Sequence, residues 1–407
     1  MLEMANRETG TGLKILHVIP SVSPLRGGPS ATLRTLVNGL IAQGLSADVA
    51  TTDDDGPGRL IFHPNEYEDT DRCQYRCFAR ETRFYTVSRP LRTWLYRNAG
   101  EYDAIHIHSL FNWPACVAAA AARRAGVPYI VRPLGTLNHW GLRRRRLLKS
   151  LSLRFIESRI LRHAAWLHFS TEQERLESET VTAGLPFRVI PNPIADVPAT
   201  AETDRAADPA TILFLSRLDP VKGLDILLPA FAEARRAIPQ LKLLLAGSGT
   251  PEFTADLRRQ AGLLRIRDAV KWTGFLSDEQ KERALRRATL FVLPSRSENF
   301  GLAAVEAMAR GIPILISEGV GIRGEVQAAQ AGMVVPCTAE AFAAGMRLLV
   351  EDPQLRNRLA ANGRRLAESK YSSAVVAGQL AGEYEKLARA RVPAAASRQA
   401  PACEAAQ

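Results

Sequence analysis

Short runs of consecutive apolar residues recur along the chain and alternate with segments whose apolar residues return every three or four positions. The runs fit strands covered on both faces, and the longer periodic segments fit amphipathic helices. In the first half, strands are expected at 14–19, 47–51, 104–108, 129–132 and 166–170, with helices at 31–43, 114–124 and 142–162. From residue 211 the pattern begins again. Strands are expected at 211–215, 241–246, 270–272, 290–293, 314–316 and 333–335, with helices at 223–236, 251–262, 277–287 and 301–310. Three more helices are expected at 339–349, 353–369 and 373–389.

Strands alternating with helices twice over give an α/β protein of two Rossmann-like, doubly wound domains. The stretch 196–209 is rich in Pro, Ala, Asp and Thr without periodicity and reads as a linker. The organisation expected is a disordered start (1–12), an N-terminal Rossmann-like domain (13–195), the linker, and a C-terminal Rossmann-like domain (210–372). A closing helix (373–390), with a crossing back to the first domain as one option, and a disordered Ala-rich tail (391–407) follow. Open sheets of this kind bind ligands at the C-terminal ends of their strands, so the ligands are expected in a cleft on which the two domains face.

The strand at 290–293 stops at Pro294, and good helix formers begin at Gly301, with Ser297 or Asn299 available as N-cap. A helix N-terminus presents N–H groups and the positive end of the dipole. The backbone of Asn299, Phe300, Gly301 and Leu302 is therefore a natural phosphate seat. Glu298 and Glu306 bracket it with seven residues between them. On a continuous helix they would share one side roughly 12 Å apart. That suits the two ends of an extended ligand and is too wide for the carboxylates of a glycoside hydrolase, about 5–9.5 Å apart. Taken alone, such a pair reads as a solvated helix surface; the neighbouring motifs change that reading.

The strand at 211–215 runs into Ser216-Arg217-Leu218-Asp219-Pro220-Val221-Lys222-Gly223-Leu224, which places two cations in a strand-to-helix loop. Arg217 offers a fork and Lys222 a point charge, and both would stabilise the charge that builds on a departing diphosphate. This motif is followed in order by Ala246-Gly247-Ser248-Gly249, Gly274-Phe275 and Glu-x7-Glu. Together they resemble glycosyltransferase family 4, and the resemblance covers the C-terminal half almost without a gap.

It implies the GT-B fold and a retaining hexosyltransferase of the EC 2.4 class. Such an enzyme would move a hexose from a UDP- or GDP-sugar to a glycan or lipid-linked acceptor, in cell-surface or exopolysaccharide biosynthesis. It assigns Arg217 and Lys222 to the donor diphosphate, Glu306 to the ribose hydroxyls and Glu298 to the donor sugar near the reaction centre. Residues 299–302 would contact phosphate or sugar, Gly247 would belong to the donor site, and the region of Phe275 would meet the base. In the N-terminal half, Gly27-Gly28 resembles the family's glycine loop beside acceptor and diphosphate, and His106-Ile107-His108 its strand-end histidine motif. His108 lies nearer the expected cleft and is the one chosen to hydrogen-bond the donor sugar. The catalytic set implied is His108, Glu298, Arg217 and Lys222. Arg132, at another strand end, is a candidate contact for acceptor or phosphate.

Asp53-Asp54-Asp55 invites comparison with the Asp-x-Asp metal sites of glycosyltransferases of the other large fold. Followed by Gly56-Pro57-Gly58, it reads as a solvated loop. The five cysteines are scattered without zinc-finger spacing and read as reduced thiols. No metal and no cofactor is expected, because Arg217 and Lys222 neutralise the leaving group.

Hydrophobic residues at 46% and charged ones at 23% are ordinary for a soluble enzyme, and no apolar run reaches membrane-spanning length. With a polar N-terminus, this leads us to expect a cytoplasmic protein. The net charge of +11 points to an anionic partner. The stretch opening on Leu142 and closing on Arg162 concentrates this charge: Arg143, Arg146, Lys149, Arg154 and Arg159 stand against the single acid Glu157, with Leu147, Leu151 and Phe155 as an apolar side. It reads as a solvated face or as a surface for the anionic inner membrane leaflet.

Two other readings are open. A non-hydrolysing sugar-nucleotide epimerase of the same architecture would need no acceptor. A non-catalytic scaffold for membrane or nucleic acid would not need Arg217, Lys222, Glu298, Glu306 and His108 together. The basic runs also lack the interleaved aromatics of a single-strand platform, so no nucleic acid is expected.

Overall fold

The computed structural model describes residues 12–62, 70–143, 146–197 and 210–396. Most of the linker expected at 196–209 and both expected disordered ends, apart from residues 12, 196, 197 and 391–396, lie outside the described residues. The chain forms two compact units. One runs to Pro193 and resumes at Ser373, and the other is Ile194–Ser372.

The first unit contains β1 (Lys14–Ser21), β2 (Ser46–Thr52), β3 (Asp54–Asp55), β4 (Gly58–Arg59), β5 (Tyr75–Phe78), β6 (Ala104–His108), β7 (Tyr129–Arg132), β8 (Trp166–Phe169) and β9 (Phe187–Val189). Seven of them form one parallel sheet in the order β5-β2-β1-β6-β7-β8-β9, and β3 and β4 pair as a small antiparallel ribbon. The short strands β5 and β9 at the sheet edges carry too few apolar residues to show in the pattern. The helices Arg89–Asn98 and Glu172–Thr182 also go beyond it, each started by a side-chain cap, Ser88 and Thr171.

The second unit contains β10 (Thr211–Leu215), β11 (Lys242–Ala246), β12 (Val270–Gly274), β13 (Leu290–Leu293), β14 (Ile314–Ser317) and β15 (Met333–Val335), parallel in the order β12-β11-β10-β13-β14-β15. Its central strands β10 and β13 are buried along nearly their whole length, which is why they read as unbroken apolar runs. In each sheet the chain winds outward one way and then returns to wind the other way. The strand order therefore reverses between β1 and β6 and between β10 and β13, where open α/β sheets leave a crevice for ligands.

The helix Ser373–Ala396 packs into the first unit: Val376, Ala377, Leu380 and Tyr384 share a core with Ile15, Leu36 and Leu40. It continues through residues 391–396, which the sequence reading left to a disordered tail. Gly39 permits the close approach, since a methyl group there would lie 2.6 Å from Ser373 Oγ and 2.9 Å from Ala377 Cβ. The helix expected over 142–162 is observed as His139–Arg143 and, from Arg146 on, as one helical run made of Arg146–Ser152, a π turn at Leu153–Glu157 and Ser158–Arg162; residues 144 and 145 lie outside the described residues. Among the described residues no helix is long and apolar enough to cross a membrane.

Candidate functional site

The residues singled out in the second unit gather at the C-terminal ends of β10–β14, on loops tied to one another by backbone hydrogen bonds. The Ser216 and Leu218 N–H groups donate to the Ala246 and Ser248 carbonyls at 3.1 and 2.9 Å, and the Gly247 N–H donates to the Gly274 carbonyl at 2.8 Å. Across the switch point, the Arg296 N–H donates to the Val221 carbonyl at 2.8 Å. Glu298 pairs with the loop after β14, donating to the Gly319 carbonyl and accepting from the Gly321 N–H, both at 2.8 Å.

Glycines make this rim possible. A methyl group on Gly247, whose φ is +138°, would sit 1.9 Å from the Ser216 carbonyl oxygen, and one on Gly223 (φ +69°) would sit 2.0 Å from the Pro294 oxygen. Gly247→Ala is therefore expected to destabilise the second unit by about 3 kcal/mol, through both contact and backbone strain. Urea denaturation checks this, and an unchanged midpoint would contradict the packing described.

On this rim Lys222 is buried, and its ammonium forms an ion pair with Glu298 Oε2. The ammonium has three N–H donors, so this contact leaves it donors for phosphate oxygens. Arg217, five residues earlier, is exposed. Arg296 clamps the end of this loop, donating to the Pro220 carbonyl at 3.1 Å and gripping the Asp225 carboxylate at the start of the next helix with two bonds of 2.7 and 2.6 Å. That grip holds the Asp225 carboxyl below its ordinary value.

The glutamate pair is arranged differently from the helical geometry assumed above. The helix is Leu302–Ala309, with Gly301 at its N-cap in the left-handed region (φ +96°), and neither Ser297 nor Asn299 caps it. Glu298 thus stands in the preceding loop, paired edge to edge with Val320, and the 12 Å helical spacing does not apply. Phe300 is buried against Tyr371, ring centroids 5.6 Å apart, so its side chain packs the loop while its backbone remains at the helix start. Glu306 is on the helix and takes a 3.0 Å ion pair from Lys281, a neighbour that the sequence reading did not single out. Phe275 is 58% exposed at the end of the edge strand β12, three strand positions, roughly 14 Å, from β13.

In the first unit, Gly27 (φ +70°) caps the helix Gly28–Ala42 after the 3-10 turn Pro24–Arg26 that follows β1, and a methyl group on either glycine would meet nothing within 4 Å. His106 and His108 do lie on one side of β6, their rings stacked at 4.5 Å. They belong to a larger buried set with His17 on β1 and His168 on β8. His168 Nε2 is 2.8 Å from the Ile190 carbonyl, an acceptor only, so it carries the proton. Its bare Nδ1 then accepts from His106 Nε2 at 3.2 Å, and His106 Nδ1 accepts from the Tyr384 hydroxyl at 2.6 Å. His17 Nδ1 meets His108 Nε2 at 3.0 Å.

Burial, with the nearby Arg132 guanidinium adding to it, lowers His17 to about 3 and holds His106, His108 and His168 well below their ordinary value, so all four are neutral at pH 7. His17, His106 and His108 present nitrogens within 4.8 Å of one another, a set that could gather a metal ion. Four of their ring nitrogens already bond one another, His168 or Tyr384, whereas His17 Nε2 is buried without a hydrogen-bond partner.

Two sequence readings change here. Arg132, taken as a ligand contact, is 1% exposed and bonded to Asn192 Oδ1, and burial lowers it to about 10. Its place is within the core beneath the histidines. Asp53-Asp54-Asp55 is no solvated loop: Asp54 is buried in an ion pair with Arg80, Asp53 accepts from the Arg80 N–H at 2.8 Å, and Asp55 accepts from the Ser23 hydroxyl. All three carboxylates hold the β3–β4 ribbon in place.

Comparison with known proteins follows the same division. Residues 27–193 match the family described as "Glycosyl transferase 4-like domain", and 199–366 match "Glycosyl transferases group 1". D-inositol 3-phosphate glycosyltransferase of Nocardioides sp. is 27% identical over 390 residues, 85% of this chain and 83% of that one. Alpha-D-kanosaminyltransferase of Streptomyces kanamyceticus is 32% identical over 181 residues, and phosphatidyl-myo-inositol mannosyltransferase of Mycobacterium tuberculosis 34% over 185. In these two cases the match spans about half the length of the relative, 46% and 47%.

Among solved structures, sucrose-phosphate synthase of Thermosynechococcus elongatus superposes with a TM-score of 0.74 at 23% identity, covering 93% of this chain and 100% of that one. Anabaena HepE in complex with UDP-glucose superposes with 0.73 at 21%, covering 92% and 100%. At such identities these likenesses establish the fold. With both halves matched and both sheets of the expected kind, the chain belongs to the family 4 type of glycosyltransferases, group 1, with the GT-B fold.

Proposed function

We propose that the protein is a retaining glycosyltransferase that moves a hexose from a UDP- or GDP-sugar to a glycan or lipid-linked acceptor in cell-surface or exopolysaccharide biosynthesis, without a metal. The observation that carries this is the Lys222–Glu298 pair at the strand-order reversal between β10 and β13, with Arg217 exposed on the same loop. A nucleoside diphosphate seated there would have its phosphates on Arg217, Lys222 and the N–H groups of the Leu302–Ala309 helix start. Glu306 would take the ribose hydroxyls and Glu298 the sugar. His108, 1% exposed and bonded to His17, is assigned no donor contact in this reading.

Departure of the diphosphate breaks the bond to the anomeric carbon. The acceptor hydroxyl attacks from the same face, and its proton passes to the departing phosphate oxygen. No enzymic nucleophile is required; the residues position the donor and stabilise the leaving charge. Support for a nucleotide-sugar donor comes from a fold neighbour crystallised with UDP-glucose, and for inositol-bearing or lipid acceptors from relatives named for them. The same reading places the protein in the cytoplasm, peripheral on the inner membrane leaflet.

A thermal-shift series with UDP, GDP, ADP and their sugars tests it. A ligand present at a hundred times its Kd is expected to stabilise by about 2.7 kcal/mol. No shift with any of them would remove the donor assignment, and a rearranged sugar formed without acceptor would identify an epimerase instead.

A further inference from the structure

The helical segment between β7 and β8 exposes apolar side chains of a size that folding normally hides. Leu147 is 82% exposed, Phe155 68%, Leu151 58% and Leu148 57%. Together with Phe84 and Phe111 from neighbouring loops, three of these, Leu148, Leu151 and Phe155, line an open groove of about 920 Å³, at the upper end of the range for small-molecule sites. Arg83 and Lys149 also line it, and the Lys149 ammonium lies 4.7 Å from the Phe111 ring centre.

The groove walls are held in unusual backbone. Tyr85 and Phe111 have φ of +62° and +59°, costly for aromatic residues and typical of positions kept for function. The Phe111 N–H is anchored on Glu157 Oε1 at 3.1 Å, and the Trp113 N–H on the Tyr85 carbonyl at 2.8 Å. Glu157 also ends the π turn within this helical run, an irregularity common at functional sites. As the single acid between 142 and 162 it is buried, so among the described residues the exposed charges of this segment are all cationic. Among the described residues no ion pair involves Arg143, Arg146, Arg154 or Arg159.

We propose that this groove takes the hydrocarbon chain of an anionic lipid, while the arginines hold the segment His139–Arg162 on the bilayer from which that lipid is drawn. Within the function proposed above, on which it rests, the lipid is the carrier of the sugar acceptor. An apolar floor with a basic rim matches the two ends of such an amphiphile. A purely electrostatic patch would not need the groove.

The full chain is tested with two probes. Vesicles of phosphatidylglycerol and phosphatidylcholine, compared with phosphatidylcholine alone, read surface attachment by sedimentation. Monomeric dihexanoylphosphatidylglycerol, read by calorimetry, tests the groove. Wild type is expected to sediment at least tenfold more with the anionic vesicles and to bind the short-chain lipid. Leu151→Asp with Phe155→Asp is expected to lose both at least tenfold while keeping the nucleotide-induced thermal shift, which shows that it is folded and reads the donor assignment separately.

Vesicle binding without short-chain binding, or unchanged in the double variant, would overturn the groove. Binding to neither probe would overturn the whole proposal, as would a dimer that the double variant disperses in the absence of any lipid binding. A missing nucleotide shift in wild type would instead count against the donor site and leave the lipid result standing.

Discussion

Lys222→Ala is expected to reduce sugar transfer by roughly 10²–10³-fold while changing nucleotide affinity only a few-fold. The magnitude is that of removing one preorganised donor from a site where charge develops, about 2.7–4 kcal/mol. The ammonium is buried at the end of β10 and fixed by Glu298, so it is aimed before the donor arrives and requires no reorganisation as the diphosphate departs. Affinity is less sensitive, because Arg217 and the helix start still hold the ground-state phosphates. The measurement is single-turnover transfer alongside a titration with the nucleoside diphosphate. Equal losses in rate and affinity would mean that Lys222 only binds, and an unchanged rate would remove it from the mechanism.

The second large effect is a loss of stability on mild acidification, centred on the first unit. His17, His106, His108 and His168 are neutral in the folded chain with depressed pKa values, whereas in the unfolded chain each takes up a proton near pH 6.5. A depressed folded pKa means that the stabilisation is fully present above pH 6.5 and falls away below it, because the unfolded state then binds more protons. With four such groups the slope approaches on the order of 5 kcal/mol per pH unit.

Urea denaturation at pH 7.5 and 5.5 checks this. Tryptophan fluorescence is a suitable probe, since Trp94, Trp113, Trp140 and Trp166 lie in the first unit and only Trp272 in the second. Superimposable transitions at the two pH values would show that the rings are not buried as a neutral cluster.

The elements that the sequence identified correctly share a property. β6, β7, β10 and β13 fall where their runs begin and end, because strands inside a sheet covered on both faces are built mostly of apolar residues, and the half-buried edge strand β15 follows the same kind of run. The edge strands β5 and β9, the helices opened by Ser88 and Thr171, and the π turn at Leu153–Glu157 depend on caps and packing that give no periodic signal. His17 and His168 could have been noticed as polar residues inside buried strands, at positions facing the same way as His106. Nothing in the linear pattern links Lys281 to Glu306 or Tyr384 to His106, separated by 25 and 278 residues.

The sequence by itself determined the two doubly wound sheets, the order of the donor motifs and the placing of Arg217, Lys222, Glu298 and Glu306 at strand ends, since these follow from hydrophobic runs and loop chemistry. Only the tertiary structure decided what each side chain faces. It moved Glu298 off the helix and onto Lys222, because Gly301 starts the helix late. Arg132 went inward beneath four neutral histidines, because β7 is buried among β6 and β8. The three aspartates became an internal clamp through Arg80, a partner brought by the chain beyond β5. Burial and partnership arise between segments far apart in the chain, and one-dimensional periodicity carries no record of them.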